Sequence, residues 1–350
     1  MKKIAGIAIA LLLLTAFLIA SCGSSAVNDN KGKELLTEDS GLITVGFSQL
    51  GAESDWRSAN TVSMQAAFTP EEGYNLIYKN GQQKQANQIT AIRTFIQQEV
   101  DYIVLAPVTE SGWDSVLEEA KEAGIPVIIV DRRVDVVDKS LYSCWVGSDF
   151  ELEGKKMAAW IDSYTTSIGM DPSDVHIVNI QGTIGSTAQI GRSRGLANAA
   201  REHGWDLMAE VTGDFTETKG REVMAALLGR FDNINIVYCE NDNEAIGAIE
   251  AIEAAGKKVG SDIKNGEIMV VSFDGVNKEA LDYAKAGKIS CIAECNPLHG
   301  PRVKALVDAL VRGETPDKFN YVDEKLFSAD KRVTEVVVDG VTYPVQNIGD

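Results

Sequence analysis

Short apolar runs alternate with helix-period segments along most of the chain. Residues 42 to 60, LITVGFSQLGAESDWRSAN, set the type. Leu42, Ile43, Val45 and Phe47 read as a buried strand, Gly51 to Asp55 as a polar turn, and a helical pattern opens near Trp56. The same alternation recurs at Tyr74 to Tyr78, Val100 to Ala106 and Ile125 to Val130, strands separated by helices at Gln85 to Gln98 and Trp113 to Ala123. Four strand–helix repeats specify a parallel sheet wound by right-handed crossovers.

A second series follows. Strands are expected at Leu141 to Val146, Val175 to Gln181, Leu207 to Val211, Asn235 to Tyr238, Ile268 to Phe273 and Ile289 to Glu294. Helices fall at Leu152 to Tyr164, Ile190 to His203, Thr218 to Leu228, Asn243 to Ala255 and, in the last part of the chain, Gly300 to Arg312. The fold class is therefore α/β, with two doubly wound parallel-sheet lobes. At the end, Val333 to Val338 and Val341 to Val345 flank Asp339-Gly340, a hairpin signal.

The polar residues concentrate where the apolar strands stop. Glu53, Ser54, Asp55, Trp56 and Arg57 follow the first strand, Asp131-Arg132 the fourth, and Arg192, Asn241, Asp274 and Glu294 follow strands of the second series. Ligands of open α/β sheets bind beyond the carboxyl ends of strands. Each position also has a plain structural reading: Trp56 as core, Asn241 as a helix cap, Asp274-Gly275 as a turn. Indole, carboxylate and guanidinium together suit a sugar, which offers an apolar C–H face and a rim of hydroxyls.

The N-terminus changes the picture of where this happens. Lys2 and Lys3 precede an apolar run from Ile4 to Ala20, and Ile19-Ala20-Ser21-Cys22 has the form of a bacterial lipobox. Residues 1–21 are expected to be a lipoprotein signal peptide, Cys22 to receive lipid, and residues 22–41 to be a flexible tether. The protein would then be an extracytoplasmic lipoprotein of the cell membrane, in the periplasm or on the outer face of the plasma membrane. The formal net charge of −18, from 33 basic and 51 acidic side chains, argues against nucleic acid as a partner. Cys144, Cys239, Cys291 and Cys295 are expected to be buried free thiols, because Cys291 and Cys295 lie roughly 13 Å apart along a strand at about 3.3 Å per residue. No zinc spacing accompanies them, and Asp242-Asn243-Glu244 lacks a calcium-loop spacing, so no metal and no cofactor are expected.

The stretches VGFSQLGAESDWR, NGQQKQANQITAIRTFIQQEVDYIVLAPV, AGIPVIIVDR, IQGTIGSTAQIGRSRG, VYCENDNEAIGAI and SFDG occur in this order. Over residues 43 to 322 they resemble the type I periplasmic binding proteins of ABC sugar importers, most of all the galactofuranose-binding branch. The resemblance implies three crossover hinge segments near residues 149, 295 and 322. One lobe would comprise 42–148 plus 296–322, the other 149–295 plus 323–350. It also implies a monomer that closes over a monosaccharide held by Glu53 to Arg57, Asp131, Arg132, Arg192, Asn241 and Asp274, with Glu294 beside a crossover and Phe47 and Gln49 as further contacts. The partners would be an ABC permease and ATPase, or a membrane sensor.

Two departures stand out. Gly191 replaces an acid found in that branch before the arginine, which would leave one fewer carboxylate near the pocket, and the C-terminal hairpin differs. Arg57, Arg132 and Arg192 would face Glu53, Asp131 and Asp274, so the balance favours a neutral ligand. Galactofuranose ranks first, a pyranose hexose or a pentose such as galactose, ribose or arabinose second.

Other classes fit less well. The chain has only His176, His203 and His299, no G-x-S-x-G, and acids beside arginines that would hold them ionised, so hydrolysis is not expected. A sugar-responsive repressor would need an N-terminal helix-turn-helix, for which residues 23 to 41 are too short and too acidic.

Overall fold

The computed structural model describes residues 41–349. The expected signal peptide, Cys22 and the tether up to Ser40 lie outside the described residues. Strands β1 (Ile43–Gln49), β2 (Tyr74–Asn80), β3 (Tyr102–Leu105), β4 (Val127–Val130) and β5 (Cys144–Gly147) alternate with helices α1 (Asp55–Ala67), α2 (Gln85–Gln97) and α3 (Asp114–Glu122). The second series comprises α4 (Phe150–Ser167), β6 (His176–Gln181), α5 (Thr187–His203), β7 (Asp206–Thr212), α6 (Glu217–Arg230), β8 (Ile236–Cys239) and α7 (Asp242–Ala254). It continues through β9 (Lys258–Val259), β10 (Glu267–Asp274), α8 (Lys278–Lys285) and β11 (Ile289–Glu294). The chain closes with α9 (Gly300–Val311), β12 (Phe319–Tyr321), β13 (Leu326–Ser328), β14 (Glu335–Val338) and β15 (Val341–Asn347).

These strands form two sheets. The first has the order β12-β5-β4-β3-β1-β2 and is parallel throughout. The second runs β14-β15-β13-β11-β10-β8-β6-β7, with β9 on β10. The chain passes between sheets three times, after β5, after β11 and after β12.

Alternation along the strands feeds a core on each face of each sheet. Ile103, Leu105 and Ile129 point into one layer with Phe95, Trp113 and Leu117, whereas Val104, Ile128 and Val130 point into the other with Phe47, Met64, Val303 and Val307. Because both faces are covered, β4 is buried at every position and has no polar side. In the second sheet, Ile177, Tyr238 and Val271 pack with Trp160 and Leu196, while Val178, Val237 and Val270 pack with Ile246 and Ile249.

Several expectations need correction. The second sheet is mixed rather than parallel, since β13 runs antiparallel to β11 and carries the β14–β15 hairpin as its edge. The hairpin turn is as read: Asp339 and Gly340 have φ of 52° and 79°, both left-handed, as a type I′ turn requires. Helix α5 begins at Thr187, not Ile190, because Ser186 caps it by accepting from Gln189 N. Strand β5 is shorter than expected, since Lys139–Leu141 forms a 3-10 turn capped by Asp138. The short strands β9, β12 and β13 were not expected; at two or three residues each, they show no usable alternation.

Helices α4 and α5 cross at very short range. A Cβ on Gly195 would lie 2.5 Å from the Gly154 carbonyl carbon, and one on Gly191 would lie 2.7 Å from the backbone of Phe150 and Glu151. Overpacking of this kind costs about 1–3 kcal/mol, so Gly195→Ala is expected to lower the urea midpoint by a corresponding amount. An unchanged midpoint would show that the crossing can relax.

Candidate ligand-binding site

The carboxyl ends of β1 and β4 in the first sheet face the ends of β6, β8 and β10 in the second. Between them lies a small cavity lined almost wholly by buried side chains. Nine of the anticipated residues line it: Glu53, Ser54, Trp56, Arg57, Asp131, Arg132, Arg192, Asn241 and Asp274. The two others lie outside. Asp55 sits at the mouth, where its backbone N donates to Asn243 Oδ1 at 3.3 Å and its carboxylate accepts from Asn243 and Asn277, so it fastens one lobe to the other. Glu294 accepts from Asn296 Nδ2 and Lys325 N, which ties two crossover segments together away from the cavity. A roomier groove runs past Arg133, Tyr321 and Arg194, where Arg194 pairs with Glu151 at the surface.

Local structure explains how these side chains are held. Ser54 and Asn241 cap α1 and α7, accepting from Arg57 N and Glu244 N. Capping and lining the cavity therefore coexist in one residue. Asp131 and Asp274 have φ of 65° and 96°, in the left-handed region that a side chain disfavours. Such backbone is retained where the surroundings over-determine it, and both carboxyls lie at the tip of a buried strand facing an arginine.

Each arginine is matched in place. Arg57 Nη2 lies 2.6 Å from Asp131 Oδ2 and Arg57 Nε 3.2 Å from Glu53 Oε1. Arg132 donates to Val108 O at 2.7 Å and approaches Glu53 Oε1 at 3.8 Å. Arg192 Nε bonds Glu153 Oε2 at 2.8 Å, Nη1 donates to Glu240 O, and Nη2 reaches Asp274 Oδ1 at 3.5 Å. All three guanidiniums also lie over rings, Arg57 over Trp56 at 4.5 Å, Arg132 over Phe215 at 5.3 Å and Arg192 over Phe273 at 4.7 Å. One acceptor of the cavity is left over: Glu53 Oε2 is buried with no hydrogen-bond partner among the described residues.

Electrostatics follow from depth. Burial lowers Arg132 to about 10, with Arg57 adding to the effect. Burial acts on Arg57 and Arg192 too, but the carboxylates beside them outweigh it and raise both. Asp274 overturns the expectation that a neighbouring arginine keeps an acid ionised, since burial pushes its carboxyl well up against the pull of Arg192. Behind the cavity, burial raises Glu240 to about 7 although Ser193 Oγ and Gly182 N donate to it.

Sequence reasoning missed four contributors. Phe150, Ala188, Phe215 and Cys295 line the cavity and form a small apolar cluster with Trp56, whose Nε1 donates to Cys295 O at 2.7 Å. Phe215 is placed by Glu244 Oε1 accepting from its N–H and by Asn241 Nδ2 donating to its carbonyl. A Cβ on Gly182 would sit 1.9 Å from the Phe215 ring, so the glycine leaves room for that approach. Glu153 was also missed. It supplies the carboxylate against Arg192 that the glycine at 191 was expected to cost, and the Cβ direction at 191 points into α4 rather than the cavity. Phe47 and Gln49 stand behind the wall: Phe47 packs on Tyr78, and Gln49 Oε1 accepts from Arg57 Nη1 at 3.3 Å.

An enclosed, charge-compensated cavity at the junction of two α/β lobes defines a solute-binding protein. Residues 45–313 match the periplasmic binding protein domain, and the chain belongs to that family, one of binding proteins rather than enzymes. It is 40% identical over 302 residues to the galactofuranose-binding protein YtfQ of Escherichia coli K12, covering 84% of this chain and 90% of that one. A Mycobacterium smegmatis protein solved in complex with β-D-fucofuranose is 40% identical, with a TM-score of 0.77 over 83% of this chain and 92% of the other. The arabinose ABC transporter binding component of Shewanella sp. ANA-3, bound to α- and β-L-arabinofuranose, is 36% identical, with a TM-score of 0.76 over 83% and 93%.

The four described cysteines are buried and unpaired, as anticipated. Burial raises Cys144 to about 11 and the other three thiols well above their usual range. Since the thiolate is the reactive form, none of the four is expected to react with a thiol reagent in the native protein at pH 8, and all four after unfolding in urea. Rapid native labelling of any of them would contradict this placement.

Proposed function

We propose that this chain is an extracytoplasmic, lipid-anchored solute-binding protein that captures a neutral monosaccharide in its furanose form, galactofuranose first, and delivers it to the permease and ATPase of an ABC importer. The observation that carries the reading is the state of the arginines. All three are occupied by carboxylates or carbonyls, whereas Glu53 Oε2 still lacks a donor. A ligand with negative charge would find no free cation, and a hydroxyl would satisfy the vacant acceptor.

The shape of the site supports the same class. Trp56, Phe150 and Phe215 offer ring surface for the C–H face of a sugar, and the polar strand tips surround it from both lobes. The furanose ligands of the two structural relatives favour a five-membered ring. Membership of the family supports the extracytoplasmic setting, and the run Ile19-Ala20-Ser21-Cys22 supports the lipid anchor.

Binding closes the lobes in this account. Asp55 N to Asn243 Oδ1 joins the two lobes directly, a contact that opening the cleft would break, so ligand that bridges both lobes shifts the population toward this form.

Losing a charged hydrogen-bond partner costs about 1.5–3 kcal/mol, hence Arg192→Ala and Asp274→Ala are expected to weaken sugar binding at least tenfold by calorimetry. Trp56→Ala should weaken all bound sugars alike, while the two polar variants reduce discrimination among them. Wild-type affinity in all three would place the site elsewhere. For the anchor, Cys22→Ala is expected to move the protein from the membrane fraction to the soluble one; continued membrane partition would refute lipidation at Cys22.

A further inference from the structure

The three segments that pass between the sheets meet at one buried polar cluster. Ser148 follows β5, Cys295 follows β11, and Glu324 lies between β12 and β13. Glu153, in the first turns of α4, joins them. The carboxylates of Glu153 and Glu324 and the sulfur of Cys295 all lie within 4.8 Å of one another, and all three residues are buried. Glu324 Oε1 accepts from Ser148 Oγ and from Asn296 N, both at 2.7 Å, and Ser148 Oγ is 3.3 Å from Cys295 Sγ. A single carboxyl oxygen on the third crossing thus gathers the first and the second.

Glu153 connects this cluster to the ligand cavity. Its Oε2 holds Arg192 Nε, but its Oε1 is buried and has no hydrogen-bond partner among the described residues. A carboxyl oxygen of Glu324 lies within 4.8 Å of one of Glu153. Since Ser148 and Asn296 both use Oε1 of Glu324, Oε2 is the oxygen free to carry a proton. Two bare carboxylates at this depth would repel, and one proton between them removes the repulsion and fills the vacant acceptor together.

The other charged groups facing the pair fit a proton better than a metal ion. Lys156 on α4 donates from Nζ to Glu324 O at 2.8 Å, and Arg192 on α5 occupies Glu153. Asp274 at the end of β10 lies near Arg192, and Asp149, Asp323 and Tyr343 border the adjoining cavity. A divalent cation would find carboxylates and a thiol here, but it would be inserted between two fixed cations.

We propose that Glu153 and Glu324 share one proton at neutral pH, Glu324 Oε2 donating to Glu153 Oε1, and that this bond positions Arg192 for ligand while clamping the three crossings. Its effect on binding rests on the sugar-binding reading; the shared proton itself does not. Burial, with the Glu153 charge adding to it, raises Glu324 to about 9, and burial raises Glu153 against the pull of Arg192. The sign follows from linkage. The folded pair keeps a proton that an unfolded carboxyl, with its ordinary value of 4.5, has released. The stabilisation is therefore complete below that value and is lost progressively as pH rises towards 9.

The test compares wild type with Glu324→Gln, whose amide donates an N–H with no proton to lose. In urea unfolding at pH 6, 7 and 8, the folding constant of wild type relative to Glu324→Gln is expected to fall about tenfold per pH unit. Parallel curves would overturn the shared proton. Stabilisation of wild type by added zinc that Glu324→Gln lacks would also overturn it, by assigning the cluster to a cation. The second arm is galactofuranose calorimetry: Glu324→Ala is expected to weaken binding at least tenfold at pH 7, and Glu324→Gln to recover it. Between pH 8 and 10, wild-type affinity should decline while that of Glu324→Gln stays level. Wild-type affinity in Glu324→Ala would refute the positioning role. If wild type binds no sugar at all, the functional reading fails, and the urea comparison still decides the proton.

Discussion

Three guanidinium groups buried in one cleft set the terms for the residues around them. A bare buried cation is prohibitively unfavourable, so each arginine must be answered where it stands. Glu53 and Asp131 answer Arg57, Val108 O and Glu53 answer Arg132, and Glu153 with Asp274 answers Arg192. Once the arginines are answered, the cavity holds little unbalanced charge, and its remaining polarity is directional. Under the proposed function, such a cavity would tell hydroxyl patterns apart, because a misplaced hydroxyl leaves a buried polar group unpaired.

The two lobes solve this problem in the same way. In each, an arginine near the start of a helix that follows a strand pairs with an aspartate at the tip of another strand: Arg57 with Asp131, Arg192 with Asp274. Both aspartates adopt positive φ. The repeat places one arginine–aspartate pair on either side of the cleft, so a ligand that touched both, as proposed, would act as a bridge. The crossings between lobes sit behind Glu153 and Glu324, which connects the hinge with the residue that holds Arg192.

Much of this was legible in the sequence because it is local. The turn and helix start after β1, the Asp131-Arg132 tip and the Asn241 cap are each announced by neighbours in the chain, and the strand periodicity fixed their place at the carboxyl edges. What was missed depends on long-range approach. Glu153 lies on a helix among other acids with nothing nearby to mark it as the partner of Arg192, 39 residues away. Phe215 and Cys295 enter the cavity from connecting segments, and β12 is three residues long and defined by pairing with β5. The charge balance read from residue types was right in kind but counted one carboxylate too few, since Glu153 was absent from it.

Under the proposed function, compensation of the arginines makes this a site for neutral solutes. Calorimetric titration of the wild-type protein with a neutral furanose and with its phosphorylated counterpart tests that directly. Saturable one-to-one binding of the neutral sugar is expected, with affinity at least a hundredfold weaker for the phosphate, whose charge meets guanidiniums already held by carboxylates or a carbonyl. Equal or tighter binding of the phosphorylated sugar would contradict it.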